Sequence, residues 1–143
     1  MPKPPYFRQA YAFSCVPACL RMVLASLDFD ISEPELRNLC NCDETGTTPT
    51  NVVKAAIECG FDAYHTELIF EELEELVSQN ITPIVFIRFS EDTNYSHAVL
   101  IYKISKEKLF LLDPEIGERE LDIKLFTEIW SRGSTIIVEK KTQ

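Results

Sequence analysis

Residues 9–26 read Gln9-Ala-Tyr-Ala-Phe-Ser-Cys15-Val-Pro-Ala-Cys19-Leu-Arg-Met-Val-Leu-Ala-Ser26. From Cys15 onward, Ala18, Cys19, Met22, Val23 and Ser26, with Leu20, Leu24 and Leu27 beside them, put apolar or small residues on almost every face of a helix over 15–27. Arg21 is the only charge before Asp28. A helix apolar nearly all round belongs in a core rather than on a surface. Ser14 fits the N-cap position, and Pro17 fits the first turn, where no amide hydrogen is needed. A thiol therefore stands at the positive end of a central helix, with the side-chain amide of Gln9 six residues upstream. Such placement is how a reactive cysteine is built.

The rest of the chain supplies the layers around that helix. Residues 2–8, rich in proline, form an extended arm that favours an edge position. Ser32, early acids and Leu36/Leu39 mark a short second helix, followed by a polar loop over 41–48. Thr48 or Thr50 caps a third helix with Val52, Val53, Ala56 and Ile57 on one face, and Gly60 stops it. A short strand over 63–66 precedes a helix over 70–77 whose glutamates make a solvated outer face. After Asn80 the pattern turns to strands, over 83–89, 97–104, 108–113, 118–122 and 134–139, with a helical turn over 124–130. Helices first and strands afterwards give an α+β fold, N-terminal helices packed against a C-terminal antiparallel sheet, in one domain spanning 1–143.

Composition excludes several function classes. With 143 residues, 45% hydrophobic and 26% charged, the chain is that of a soluble globular domain. A net charge of −9 argues against nucleic acid, whose phosphates need a basic groove. No apolar run nears the roughly 20 residues of a membrane span. Met1-Pro-Lys-Pro-Pro has no signal-peptide shape, so a cytoplasmic location is expected. Five cysteines, an odd number, then read as free thiols. Cys40 and Cys42 invite a zinc site with Cys59 or His65, but no second pair stands at ligand spacing, so all three read as buried small hydrophobes and no metal or cofactor is expected.

The chemistry needs three residues far apart in sequence: Cys15, His97 and Asp113. A free thiol, with a pKa of about 8.5, is a weak nucleophile at neutral pH. An imidazole beside it makes a thiolate–imidazolium pair, and a carboxylate on the far ring nitrogen fixes the tautomer. A hairpin turning near Ser105 brings His97 and Asp113 side by side with the same parity. Attack on an amide would create an oxyanion, for which the Cys15 backbone N–H and the Gln9 amide are candidate donors. Taken singly, each residue has a plainer reading: a packed cysteine, a strand-start histidine, a turn-forming Asp113-Pro114. Their order and hairpin geometry together favour the chemical one.

The chain also resembles a known family. Gln9-x5-Cys15 with Val-Pro-Ala-Cys-Leu-Arg-Met-Val-Leu, Ser96-His-Ala-Val-Leu-Ile-Tyr, Leu111-Leu-Asp-Pro-Glu-Ile-Gly, Thr45-Gly-Thr and Phe126-x3-Trp130 are similar to motifs of the double-glycine leader peptidases. These are the papain-like cysteine peptidase domains of bacteriocin-processing ABC exporters and their freestanding relatives. The resemblance implies cleavage after a Gly-Gly pair, with Cys15 as nucleophile, His97 as base and then acid, Asp113 orienting it and Gln9 stabilising the oxyanion. It implies a leader peptide or other protein substrate, and an ABC exporter as a separate partner unless the chain is an excised domain. Val16 stands where the family usually has glycine, and with Tyr95 and Ser96 beside His97 it is a candidate for the substrate cleft. Two other functions share these residues. One is a non-catalytic leader-binding module; the other is a thiol acyltransferase, deamidase or isopeptidase, which would pass through the same acyl-enzyme.

Overall fold

The structure, a computed structural model, describes residues 3–88 and 96–142. Its elements run α1 (Cys15–Ser26), α2 (Glu33–Leu39), α3 (Pro49–Glu58), β1 (Phe61–Glu67), α4 (Phe70–Ser78), β2 (Ile84–Arg88), β3 (Ser96–Ile104), β4 (Lys108–Asp113), β5 (Gly117–Asp122), α5 (Ile123–Ile129) and β6 (Trp130–Lys140). The six strands form a single antiparallel sheet in the order β1-β6-β2-β3-β4-β5. The strand read before Asn80 is part of that sheet, joined to it through β6.

Both faces of the sheet are covered. Ile84, Phe86, Ala98, Leu100, Leu112, Ile136 and Val138 pack with α1, α2 and α3, whereas Val85, Ile87, Val99, Ile101, Leu109 and Leu111 pack with α4 and α5. The central strands β2 and β3 accordingly read as continuous apolar runs instead of alternating, because neither of their faces meets water. α1 lies across β3 as the most deeply buried helix. Its single charge, Arg21, rests its guanidinium 3.8 Å from the centre of the Phe7 ring in the N-terminal arm.

Local chemistry sets the helix starts. The Ser32 hydroxyl accepts from Glu35 N, the Thr48 hydroxyl accepts from Asn51 N, and each helix has a proline in its first turn. Gly60, at φ +97, stops α3. Ser14 occupies the N-cap position of α1 but does not cap it. Its hydroxyl accepts from Tyr11 N and donates to Tyr11 O, closing a turn ahead of the helix.

Two strands depart from regular pairing. β3 shifts register against β4 between Ile101 and Lys103, so Asp113, one step beyond the Leu100–Leu112 pair, stands diagonal to His97 rather than opposite it. Continued without the bulge, the Ile104–Leu109 and Lys103–Phe110 register would put His97 and Asp113 on opposite faces; the one-residue shift restores their shared parity, two residues away from the direct pair expected. β6 begins at Trp130, not Ser134, and bulges against β2 between the Val85–Thr135 and Ile87–Trp130 pairs. Arg132 and Gly133 take positive φ there, and a side chain on Gly133 would lie 2.0 Å from the Leu68 carbonyl oxygen. Among the described residues no helix is long and apolar enough to cross a membrane.

Candidate active site

Cys15 is the first residue of α1, where the first-turn amides lack carbonyl partners within the helix. His97 sits near the start of β3 and Asp113 ends β4. His97 Nε2 lies 2.6 Å from Asp113 Oδ1, with both side chains buried. The Cys15 side chain comes close enough to the same imidazole to act on it by hydrogen bonding and charge. The three residues drawn from distant parts of the sequence therefore meet in space.

Asp113 is held from every side. Its Oδ1 also accepts from Glu115 N at 2.9 Å and Ile116 N at 3.3 Å, and its Oδ2 accepts from Arg119 Nη1 at 2.9 Å. Burial alone would raise the Asp113 pKa, but His97, the Glu115 amide and Arg119 together hold it below the ordinary carboxylate value. Burial likewise works to lower the His97 pKa. The hydrogen bonds to Asp113 and Cys15 outweigh it and lift the imidazole to about 9. The ring is therefore an imidazolium at neutral pH, the form that supports a thiolate.

The N-terminal arm stitches this cluster to the helix. Tyr6 Oη donates to Asp113 O at 2.7 Å, and Gln9 N donates to Pro114 O at 2.8 Å. Gln9 itself differs from the open donor expected of it. Its Nε2 donates to Tyr11 O at 2.8 Å and to Ala12 O at 3.3 Å, because the turn ahead of α1 folds both carbonyls back toward it. Its Oε1 is buried with no hydrogen-bond partner among the described residues.

A groove of about 720 Å³ opens beside Cys15. Val16, Ala12 and Phe13 line it on the helix side, Ser96 and Phe86 on the sheet side. Thr45, Gly46 and Thr47, with Arg132 and Ser134 of the β6 bulge, also line it. Val16 and Ser96 both line the groove. Tyr95 lies outside the described residues.

The remaining thiols are placed differently from Cys15. Cys19, one turn further along α1, is fully buried, and desolvation pushes its pKa well up. Cys40 is buried and pushed up to about 12 by desolvation and then by Cys42 and Cys59. Cys42 and Cys59 are only half-buried, a correction to the reading of all three as buried: in a loop and at a helix end, they pack against the edge of the core rather than within it. Among the described residues no three His, Cys, Asp or Glu side chains converge as a metal site.

Arg119, Tyr6 and Glu33 were not singled out from sequence. Arg119 had a legible signal, since the β4–β5 pairing sets it opposite Leu111 and so diagonal to Asp113. Tyr6 had none, its partner being 107 positions away. Glu33 looks like an ordinary helix-start acid.

Comparison with known proteins gives concordant results. The profile of the peptidase C39 family matches residues 3–143. An uncharacterized protein of Methanothermobacter thermautotrophicus is 30% identical over 132 residues, covering 92% of this chain and 86% of that one. The lactococcin-G-processing and transport ATP-binding protein LagD of Lactococcus lactis is 27% identical over 118 residues, 82% of this chain but 16% of LagD. Among solved structures, a double glycine motif protease from an AMS/PCAT transporter, in complex with its leader peptide, superposes with a TM-score of 0.83 at 23% identity, covering 97% of this chain and 93% of that one.

Proposed function

The chain belongs to the peptidase C39 family and is a cysteine peptidase, and we propose that it cleaves a peptide after small residues of the Gly-Gly leader type. In this reading the Cys15 thiolate attacks the scissile carbonyl, forming a carbon–sulfur bond and an oxyanion. The Cys15 backbone N–H and Gln9 Nε2 stabilise that oxyanion, Gln9 exchanging its weak 3.3 Å bond to Ala12 O for the stronger charged acceptor. The His97 imidazolium gives its proton to the leaving amine as the carbon–nitrogen bond breaks. It then takes a proton from water, which hydrolyses the thioester and regenerates the thiolate–imidazolium pair. Asp113 keeps the ring oriented throughout.

The observation that carries this reading is the hydrogen-bonded chain from Cys15 through His97 to Asp113, buried at a helix start beside an open groove. The leader-peptide substrate is supported by the transporter protease solved with its leader peptide and by the processing role in the name of LagD. An ABC exporter, on a separate chain or the same one, is the partner this reading proposes. Val16 and Ser96, on the groove wall, are the residues proposed to select small side chains at the cut. Five free thiols suit a reducing cytoplasm, the location we assign.

Mass spectrometry of a Gly-Gly leader peptide incubated with wild type and with Cys15→Ala tests the proposal. Two fragments meeting directly after the Gly-Gly pair, from wild type only, are expected. An intact peptide, or equal cleavage by Cys15→Ala, would overturn it. A product changed in mass without being cut would point to deamidation or acyl transfer by the same thiol.

A further inference from the structure

We propose that Glu33 is a positioning residue that sets the spacing of the two oxyanion donors; this rests on the peptidase reading of Gln9 and Cys15. Glu33 opens α2, yet its side chain is only 5% exposed. Oε1 accepts from Ala10 N at 3.0 Å and, at 3.4 Å, shares the single Ser14 hydroxyl hydrogen with Tyr11 O. Oε2 accepts from Arg37 Nε at 3.1 Å, and the Arg37 guanidinium lies 4.7 Å from the centre of the Tyr11 ring. Tyr11 in turn stacks on Phe13 at 5.2 Å.

Ala10 directly follows Gln9, and Ser14 directly precedes Cys15. One carboxylate oxygen therefore holds both ends of the turn that separates the two donors. Glu35, in the same helix turn, shows what an ordinary helix-start acid does here. It is exposed and bonds the Ser32 hydroxyl. A buried carboxylate is costly unless fully partnered, and all of Glu33's partners other than Arg37 belong to the turn. Hydrogen bonds to an oxyanion lose strength steeply with distance and angle, so a loosened turn weakens the transition state more than it weakens groove binding.

A peptide aldehyde ending in Gly-Gly is the probe. Cys15 adds to its carbonyl, the carbon–sulfur bond forming as the carbon–oxygen π bond breaks, and the oxygen takes a proton from His97 where the oxyanion would sit. Aldehyde affinity, leader-peptide kcat and KM, and the rate of Cys15 alkylation by iodoacetamide are measured for wild type, Glu33→Ala, Glu33→Asp and Glu33→Gln. Alkylation needs the thiolate but no oxyanion site. For Glu33→Ala we expect kcat and aldehyde affinity to fall about 10- to 100-fold, with KM and alkylation rate unchanged. Glu33→Gln, which keeps the Oε1 acceptor, should recover to within about fivefold of wild type. If Glu33→Ala fails to fold, Glu33→Asp, which keeps the charge but not the reach, is read in the same way. Alkylation slowing in parallel with kcat would overturn the proposal, as would unchanged aldehyde affinity. A wild type that binds the aldehyde tightly but leaves the leader uncut would sink the substrate reading while leaving this one standing. Failure of both would sink both.

Discussion

Asp113→Asn removes one negative charge from the buried cluster while keeping an oxygen that can accept from His97 Nε2. Ring orientation is largely preserved, so the change isolates what the charge does. In the native protein the imidazole titrates at about 9, lifted from 6.5 by hydrogen bonds to Asp113 and Cys15 against the opposing effect of burial. With the carboxylate gone, burial and the Arg119 guanidinium, which then faces the pair uncompensated, both disfavour the imidazolium. Taking a return to 6.5 as the reference case, the protonated fraction at pH 8 falls from about 0.9 to about 0.03, roughly 30-fold. At pH 6 it falls only about 1.3-fold by the same arithmetic. The assay is kcat/KM against pH, in which the alkaline limb should move from about 9 toward 6.5 or below. Stability gives a second readout with a defined sign. A histidine whose pKa is raised on folding contributes stability that is complete below 6.5 and lost as pH rises through about 9. The shift corresponds to about 3 kcal/mol, so the resistance of wild type to denaturant should weaken across that window by this order, and that of Asp113→Asn should not. Equal activity losses at pH 6 and pH 8, or an alkaline limb still near 9 in the variant, would refute the reasoning.

Three further outcomes follow from the placement of other residues. In a peptide map of iodoacetamide labelling at pH 7, Cys15 should react first although Cys42 and Cys59 are more exposed, because desolvation raises the pKa of both of those thiols; earlier labelling of Cys42 would contradict this. Val16→Gly should cost about 2–3 kcal/mol in denaturant unfolding, from a lost buried side chain and added backbone freedom. It should also raise kcat/KM for peptides with Ala or Ser before the cut relative to Gly, and an unchanged ratio would remove Val16 from the specificity wall. Gly133→Ala forces a left-handed alanine against the Leu68 carbonyl and should lower stability by about 2–4 kcal/mol, with a smaller loss in thermal or denaturant melts showing that the β6 bulge yields easily.

The helices were legible because their signals are local. Ser32, Thr48 and Gly60 each act within one turn; Ser32 and Gly60 act where they were read, and of the two cap candidates for the third helix, Thr48 and Thr50, it is Thr48 that caps. Ser14 failed by the same standard. A hydroxyl at an N-cap position can serve its own turn instead, and here Tyr11 and Glu33 claim it. Ser131-Arg-Gly-Ser134 looks like a loop before a strand, because positive-φ residues carry the same composition in a turn as in a bulge. Sheet order was not legible: nothing in residues 61–67 says that their partner is the last strand rather than the next one.

The site followed the same division. Cys15, His97 and Asp113 could be aligned from helix start, strand start and hairpin parity, since parity survives the two-residue offset in register. What could not be read is how the charges are made tolerable once buried. Asp113 sits between His97 and Arg119, and Glu33 sits between the Ala10 amide and Ser14 hydroxyl of the turn on one side and Arg37 on the other. Removing one partner of such a pair costs far more than the pair itself contributes, because the survivor is left desolvated. The second member of each arrangement is therefore as necessary as the first, although Arg119 and Arg37 carry no motif. The N-terminal arm then fixes one arrangement to the other: Tyr6 grips the Asp113 carbonyl and the Gln9 amide grips that of Pro114. Movement of the His97 support and movement of the oxyanion turn are coupled through those two bonds. The arm, legible only as an extended proline-rich segment, is thus the mechanical link between nucleophile and base.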